Sequence, residues 1–366
     1  MSEAAAATES AGGRTYRIVL IPGDGIGPEV TNAAVQVLEA AAAGSGCSLT
    51  FERHEAGAAC FVRSGQPMSA ETFAACRTAD AVLKGPVGLP GVRLPDGTEA
   101  GILGGVLRNG LDLFANLRPI RLLDGVSSPL AGRSAGSIDY AIVRENTEGL
   151  YASRGRGVAT ADAVADTMLI TRRGCERVAR FAFDLARTGS GAPRDGVRRV
   201  TCVDKANVLR GYAFFRAVVG EVSVEYPEIA VEYRYADAMA QALVLEPDAF
   251  DVIVCENFLG DLLSDLGGAT VGGLGFCPSG NIGEHGAYFE PIHGSAPSLA
   301  GSDRANPIAT ILAGAMLLDR LGEFDAAGAV RAATTEALRA GAVDVRPDGT
   351  LATGCRAAGA AIARLI

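Results

Sequence analysis

The chain has 366 residues, enough to bury a sizeable core and to form two domains or one large α/β unit. Its formal net charge of -9, with no clustered Lys and Arg, excludes the open basic face that binding to nucleic-acid phosphates requires. The eight cysteines, at 47, 60, 76, 175, 202, 255, 277 and 355, show no C-x-x-C spacing, so they indicate neither a zinc ribbon nor a redox pair and read as reduced cytosolic thiols.

Residues 1–13 are rich in Ala, Ser and Gly and carry two glutamates before the first arginine, unlike a basic leader, and are expected to be a disordered tail. Apolar runs such as Phe250 to Cys255 are broken by charge well short of the ~20 residues a membrane helix needs, so the protein is expected in the cytoplasm with no membrane partner. Strand-like runs at Tyr16–Ile21, Ala81–Lys84, Tyr140–Val143, Val200–Val203 and Val252–Cys255 alternate with Ala- and Leu-rich helical stretches, which indicates an α/β fold. Pro28 and Glu29 open a helix running towards Ala43, and Gly44 to Gly46 close it. The stretch Thr188 to Arg199 reads as a surface loop between a helix and a strand.

The first turn, Ile21-Pro22-Gly23-Asp24-Gly25-Ile26-Gly27-Pro28, is Gly-rich between strand and helix, which suits either an anion on backbone amides or a tight turn that lets the two elements pack. Arg108, Arg118 and Arg144 fall near predicted element ends, and guanidinium forks grip carboxylates in a bidentate way; singly, each also suits a solvated surface. Tyr151 follows Glu145 to Leu150 and could supply a proton, and Lys205 follows an apolar strand, where partial burial near a metal would make it a base. Asp261 and Asp265 stand one helical turn apart, as two oxygen ligands of magnesium or manganese or as a solvated acidic face, with Asp237 a third ligand candidate. His293 sits in the polar loop Phe289 to Pro297, better suited to phosphate or adenine than to a zinc or serine-triad site.

In this order the motifs resemble the β-decarboxylating dehydrogenase family of isocitrate, homoisocitrate, 3-isopropylmalate and tartrate dehydrogenases. The carriers are Gly23 to Glu29, Asp112 to Pro119, Arg144 to Gly149, Asp204 to Asn207, Gly260 to Asp265 and His293 to Pro297, and the likeness runs from about Tyr16 to the C-terminus. The resemblance implies an isopropylmalate dehydrogenase-like two-domain α/β fold, distinct from the Rossmann fold, with the active site in the interdomain cleft. A large cofactor-side domain would comprise residues 14–113 and 272–366, and residues 114–271 a small dimerisation and metal/substrate domain. It further implies a homodimer in which Lys205 and Asp237 come from the partner subunit. Arg108, Arg118 and Arg144 would hold the malate carboxylates, Tyr151 and Lys205 would be catalytic, and Asp237, Asp261 and Asp265 would bind Mg2+ or Mn2+. His293, Gly294, Ser295, Ala296, Pro297, Ser298 and Asn306 would hold the adenosine end of NAD or NADP.

The expected reaction is metal-dependent oxidative decarboxylation of a 3-substituted malate to a 2-oxo acid and CO2 with reduction of NAD(P). The motif Pro278 to Gly283 looks more like homoisocitrate and isocitrate enzymes, which favours those or another enlarged malate over 3-isopropylmalate or tartrate. Isopropylmalate enzymes place leucines one turn before the first substrate arginine, whereas this chain has Gly104 and Gly105; Gly104 is therefore expected to face the γ-group of the malate, with Arg93 a partner for an anion. NAD-specific relatives carry an acidic residue after the Pro297 position; here Ser298 and Leu299 follow, so NAD use with weak discrimination against NADP is expected, with Arg304 or Arg346 the contact for a 2'-phosphate. A non-catalytic regulatory subunit of a hetero-oligomer is the alternative of another class, disfavoured because the acid-base and metal residues are all retained.

Overall fold

The computed structural model describes residues 13–366, so the tail expectation lies almost wholly outside the described residues. The strands are β1 (Thr15–Ile21), β2 (Ser48–Arg53), β3 (Ala81–Lys84), β4 (Ala115–Arg121), β5 (Asp139–Glu145), β6 (Val158–Ala159), β7 (Val164–Ala165), β8 (Arg199–Asp204), β9 (Ala230–Tyr235), β10 (Val252–Cys255), β11 (Pro278–Ile282) and β12 (Ala287–Pro291). The helices are α1 (Gly27–Gly44), α2 (Ala58–Ser64), α3 (Ala70–Thr78), α4 (Gly104–Gly110), α5 (Arg172–Thr188), α6 (Arg210–Ser223), α7 (Ala236–Leu245), α8 (Asn257–Thr270), α9 (Ile308–Arg320), α10 (Phe324–Arg339) and α11 (Cys355–Ala363). Ten strands form one sheet in the order β2-β1-β3-β12-β11-β4-β5-β10-β8-β9, and β6 pairs with β7 as a separate ribbon. Among the described residues no helix is long and apolar enough to cross a membrane.

The five strand windows expected from the sequence all lie inside observed strands. They were recognisable because parallel strands covered on both faces read as unbroken apolar runs: Ile18 to Ile21 and Val252 to Cys255 are buried at every position. Helices α1, α9, α10 and α11 build the core over β1, β3 and β12. Helices α5 and α6 cover β8 and β10 on one side, and Met239, Leu243 and Leu263 of α7 and α8 join a further core on the other.

The antiparallel strands β11 and β4 join these two parallel halves, and their register places polar groups in rows. Tyr288 of β12 pairs with Asn281 of β11, Asn281 with Asn116 of β4, and Asn116 with Arg144 of β5. Residues opposite one another, and those two apart along a strand, point to one face of a sheet. Glu290 and Ser279 form the adjacent row, extended by Arg118 on β4 and Lys84 on β3. Arg118 thus lies in mid-strand, not near an element end as expected.

The first Gly-rich turn resolves as a packing device. Three of its amides are already engaged: Asp24 N donates to Pro86 O at 2.8 Å, Ile26 N to Ser295 O at 2.9 Å and Gly27 N to Asp24 O at 2.9 Å. The buried Asp24 carboxylate accepts from the amides of Ala58, Ala59 and Gly88 at 2.7–2.9 Å. Gly25 has φ +58°, and a Cβ there would stand 2.0 Å from Ser295 O, so only glycine lets the turn seat the loop that carries Ser295.

Candidate active site

Helix α8 crosses the polar face of the sheet so closely that a Cβ on Gly260 would lie 2.7 Å from the Cβ of Arg144. This approach brings Asp261 onto the arginines. Asp261 accepts from Arg144 Nη1, lies 3.2 Å from Arg118 Nη1, and accepts from Tyr151 Oη at 2.8 Å. Asp265, one turn on, is 3.7 Å from Arg118 Nη1 and half-exposed. Both guanidinium groups are held from behind: Arg144 donates to Asn257 Oδ1 through Nε at 3.0 Å and Nη2 at 2.7 Å, and Arg118 donates to Asn116 Oδ1 at 2.6 Å and Ser264 Oγ at 2.5 Å.

Arg108, in the last turn of α4, donates through Nε to Asn281 Oδ1 and Tyr288 Oη, each at 3.1 Å, and stands 3.5 Å from Glu290. Glu290 also pairs with the buried Lys84 at 2.6 Å. Burial opposes ionisation of Glu290, but Lys84 and Arg108 together pull its carboxyl down to about 2. A Cβ on Gly104 would meet the Arg108 guanidinium at 3.7 Å, and one on Gly105 would meet nothing within 4 Å. Gly104 therefore does share a face with Arg108. Arg93 is exposed in the preceding loop, where its Nε donates to Pro90 O at 2.8 Å.

Burial and then the nearby Asp261 charge push the Tyr151 hydroxyl up to about 12, so it keeps its proton at neutral pH. Asp261 is held below the usual carboxylate range: burial works against ionisation, but Arg144 and Arg118 outweigh it. Asp265 is shifted upward by burial and by Asp261. Two hard carboxylates one turn apart, one of them disfavoured by its neighbour's charge, fit a divalent cation by donor type. Lys205 and Asp237 lie elsewhere, paired with each other at 2.6 Å. Among the described residues of the single chain, no three His, Cys, Asp or Glu residues come together as a metal site.

A separate cavity of about 820 Å³ is lined by Ile26, His293, Leu299, Arg304, Asn306 and Arg346, among others. Two buried polar atoms on it, His293 Nε2 and Asn306 Nδ2, have no partner in the chain, which fits a polar ligand such as a nucleotide. Burial keeps the His293 ring neutral by lowering its pKa. The other expected cofactor residues, Gly294, Ser295, Ala296, Pro297 and Ser298, form the loop between these points, and Ser295 Oγ ties it to Gly88 O. Ser298 is exposed and lies outside the cavity lining.

The sequence reading missed Lys84, Asn116, Ser264, Ser279, Tyr288 and Glu290. A lysine closing the otherwise apolar Ala81–Lys84 strand was the one available signal.

The family model for isocitrate/isopropylmalate dehydrogenase matches residues 17–353. With this fold and site, the protein is an oxidoreductase, an NAD(P)-dependent decarboxylating dehydrogenase. The chain belongs to the isocitrate/isopropylmalate dehydrogenase family. It is 43% identical over 335 residues to the 3-isopropylmalate dehydrogenase of Salinibacter ruber, covering 90% of this chain and 88% of that one. It is 42% identical over 327 residues to the 3-isopropylmalate/3-methylmalate dehydrogenase of Methanocaldococcus jannaschii, covering 89% and 92%. The crystal structure of isocitrate dehydrogenase from Methylococcus capsulatus superposes with a TM-score of 0.84 at 38% identity, covering 96% of this chain and 99% of that one.

Proposed function

We propose that the chain oxidises and decarboxylates a 3-substituted malate whose γ-group is larger than isopropyl, of the homoisocitrate, isocitrate or similarly enlarged kind. The observation that carries the reading is the convergence of Arg118, Arg144 and Tyr151 on Asp261, next to an Arg108 whose Gly104 neighbour leaves its approach open. Arg108, Arg118 and Arg144 bind the malate carboxylates, and their buried rear contacts orient them before substrate arrives. Asp261 and Asp265, with Asp237 of a second subunit, hold magnesium or manganese, which when bound supplies Lewis-acid stabilisation of the developing enolate. Lys205 of that subunit would receive the C2 hydroxyl proton, and a bound nicotinamide would supply the hydride acceptor for C2. The β-keto acid then releases CO2, and Tyr151 delivers a proton to C3.

A homodimer with shared sites is part of this reading, supported by the separation of the Lys205–Asp237 pair from Asp261 within one chain. The β6–β7 ribbon supports it too: Val158 and Val164 are 70% and 73% exposed, and a lone two-stranded ribbon with apolar side chains in water is marginally stable. The lobes are read as 14–113 with 272–366 against 114–271, and the compartment as cytoplasmic. For the cofactor, NAD with weak discrimination against NADP remains the reading. No carboxylate follows Pro297 to repel a 2'-phosphate, and Arg304 and Arg346 line the cavity.

The names of the relatives favour a second reading, 3-isopropylmalate itself. A screen of 3-substituted malates with both nicotinamide cofactors separates the two. The expected order of kcat/KM is homoisocitrate-like or other enlarged malates, then isocitrate, then isopropylmalate. Preference for isopropylmalate over every larger or charged analogue would replace the first reading with the second. No turnover by the purified chain would point to a non-catalytic subunit.

A further inference from the structure

We propose that Asn281 is a positioning residue that sets the relative placement of Arg108 and Arg118, and so the fit of the site to its malate; this rests on the reading of both arginines as carboxylate ligands. Asn281 is fully buried in mid-β11 and touches no open space. Its side-chain oxygen is a common acceptor for three donors: Arg108 Nε at 3.1 Å, Asn116 Nδ2 at 2.9 Å and Asn146 Nδ2 at 3.0 Å. Its amide nitrogen donates to Glu290 Oε1 at 3.1 Å. That partner set allows one amide orientation, because a flipped group would turn N–H donors on three donors and an oxygen on a carboxylate.

Asn116 completes the connection, since its own oxygen accepts from Arg118 Nε at 2.6 Å. An unbroken path of side-chain hydrogen bonds therefore runs from Arg108 through Asn281 and Asn116 to Arg118. Each arginine is gripped at Nε, which fixes the guanidinium plane. Arg144 is anchored separately, on Asn257. Helix α4 and strand β4 thus have their arginines set by one residue of a third element, paired across the sheet with Asn116.

A merely structural Asn281 predicts lost stability with both substrates affected alike. A positioning Asn281 predicts a selective effect on the malate. In the purified full-length chain, Asn281→Ala should raise KM for the best malate about 10- to 100-fold, the loss expected when a hydrogen bond to a charged group is removed. KM for the nicotinamide cofactor should stay within about twofold, and kcat should fall less than KM rises. Asn281→Asp keeps the acceptor but opposes Glu290, so its malate KM should improve relative to wild type as pH falls and the new carboxyl protonates. This second variant serves if the first does not fold. An unchanged malate KM in Asn281→Ala, equal rises for malate and cofactor, or a wild-type pH dependence of KM in Asn281→Asp would each overturn the proposal. Failure of the carboxylate reading itself looks different: Arg108→Lys would then leave malate KM unchanged.

Discussion

Asp261 is the residue on which the site turns, because it faces two arginines and the tyrosine hydroxyl at once. Asp261→Asn should abolish oxidative decarboxylation while leaving a folded chain, which circular dichroism and a turnover assay check together. Tyr151, with its hydroxyl raised to about 12, is an acid rather than a base in the neutral range. Tyr151→Phe should lower kcat by about 10²- to 10⁴-fold, the usual worth of a placed proton donor, without moving the acidic limb of the rate profile. A shift of that limb would assign the titration to Tyr151 instead. The buried Glu290 makes a separate prediction about stability. Its carboxyl lies near 2 in the fold against 4.5 as a free side chain, so its ion pairs stabilise fully above about 4.5. That contribution is lost as pH falls from there towards about 2, and Glu290→Gln should flatten this part of the urea-unfolding profile.

Helix α4 carries the specificity question, since it opens on Gly104 and Gly105 and ends on Arg108 and its neighbours. Gly104→Leu should cut kcat/KM for the best large malate by about 10-fold or more while sparing malates with small γ-groups, as expected when a side chain fills a ligand's space. Equal loss for all malates would make the glycines structural. The elements themselves were largely legible in the sequence: the buried strand at Val252–Cys255 and the loop from Thr188 to Arg199 declare themselves by local composition alone. The i, i+4 spacing likewise put Asp261 and Asp265 on one helical face, and it placed Gly104 over Arg108. What local patterns do not contain is register. Lys84 and Glu290 on parallel strands, or Asn116 and Asn281 on antiparallel ones, become neighbours only when strands far apart in sequence align, so the buried half of the site stayed hidden. The Gly23–Pro28 turn was ambiguous for a related reason: the sequence shows free amides but not which carbonyls will occupy them.

At the scale of the whole molecule, one chain supplies the arginines, Tyr151, Asp261 and Asp265, while Lys205 and Asp237 stand apart as a pair. If a second subunit completes the site, mixing inactive Lys205→Met with inactive Arg118→Ala chains should restore part of the activity in verified heterodimers, because one of the two composite sites is then intact. No recovery would argue against sharing. The central claim, coupled oxidation and decarboxylation of a malate at a cation held by Asp261 and Asp265, is tested most directly by stoichiometry. With the best 3-substituted malate, the purified chain should release CO2 and reduced nicotinamide in equal amounts, lose both with a chelator and regain both with magnesium or manganese. Nicotinamide reduction without CO2, or turnover indifferent to the chelator, would contradict it.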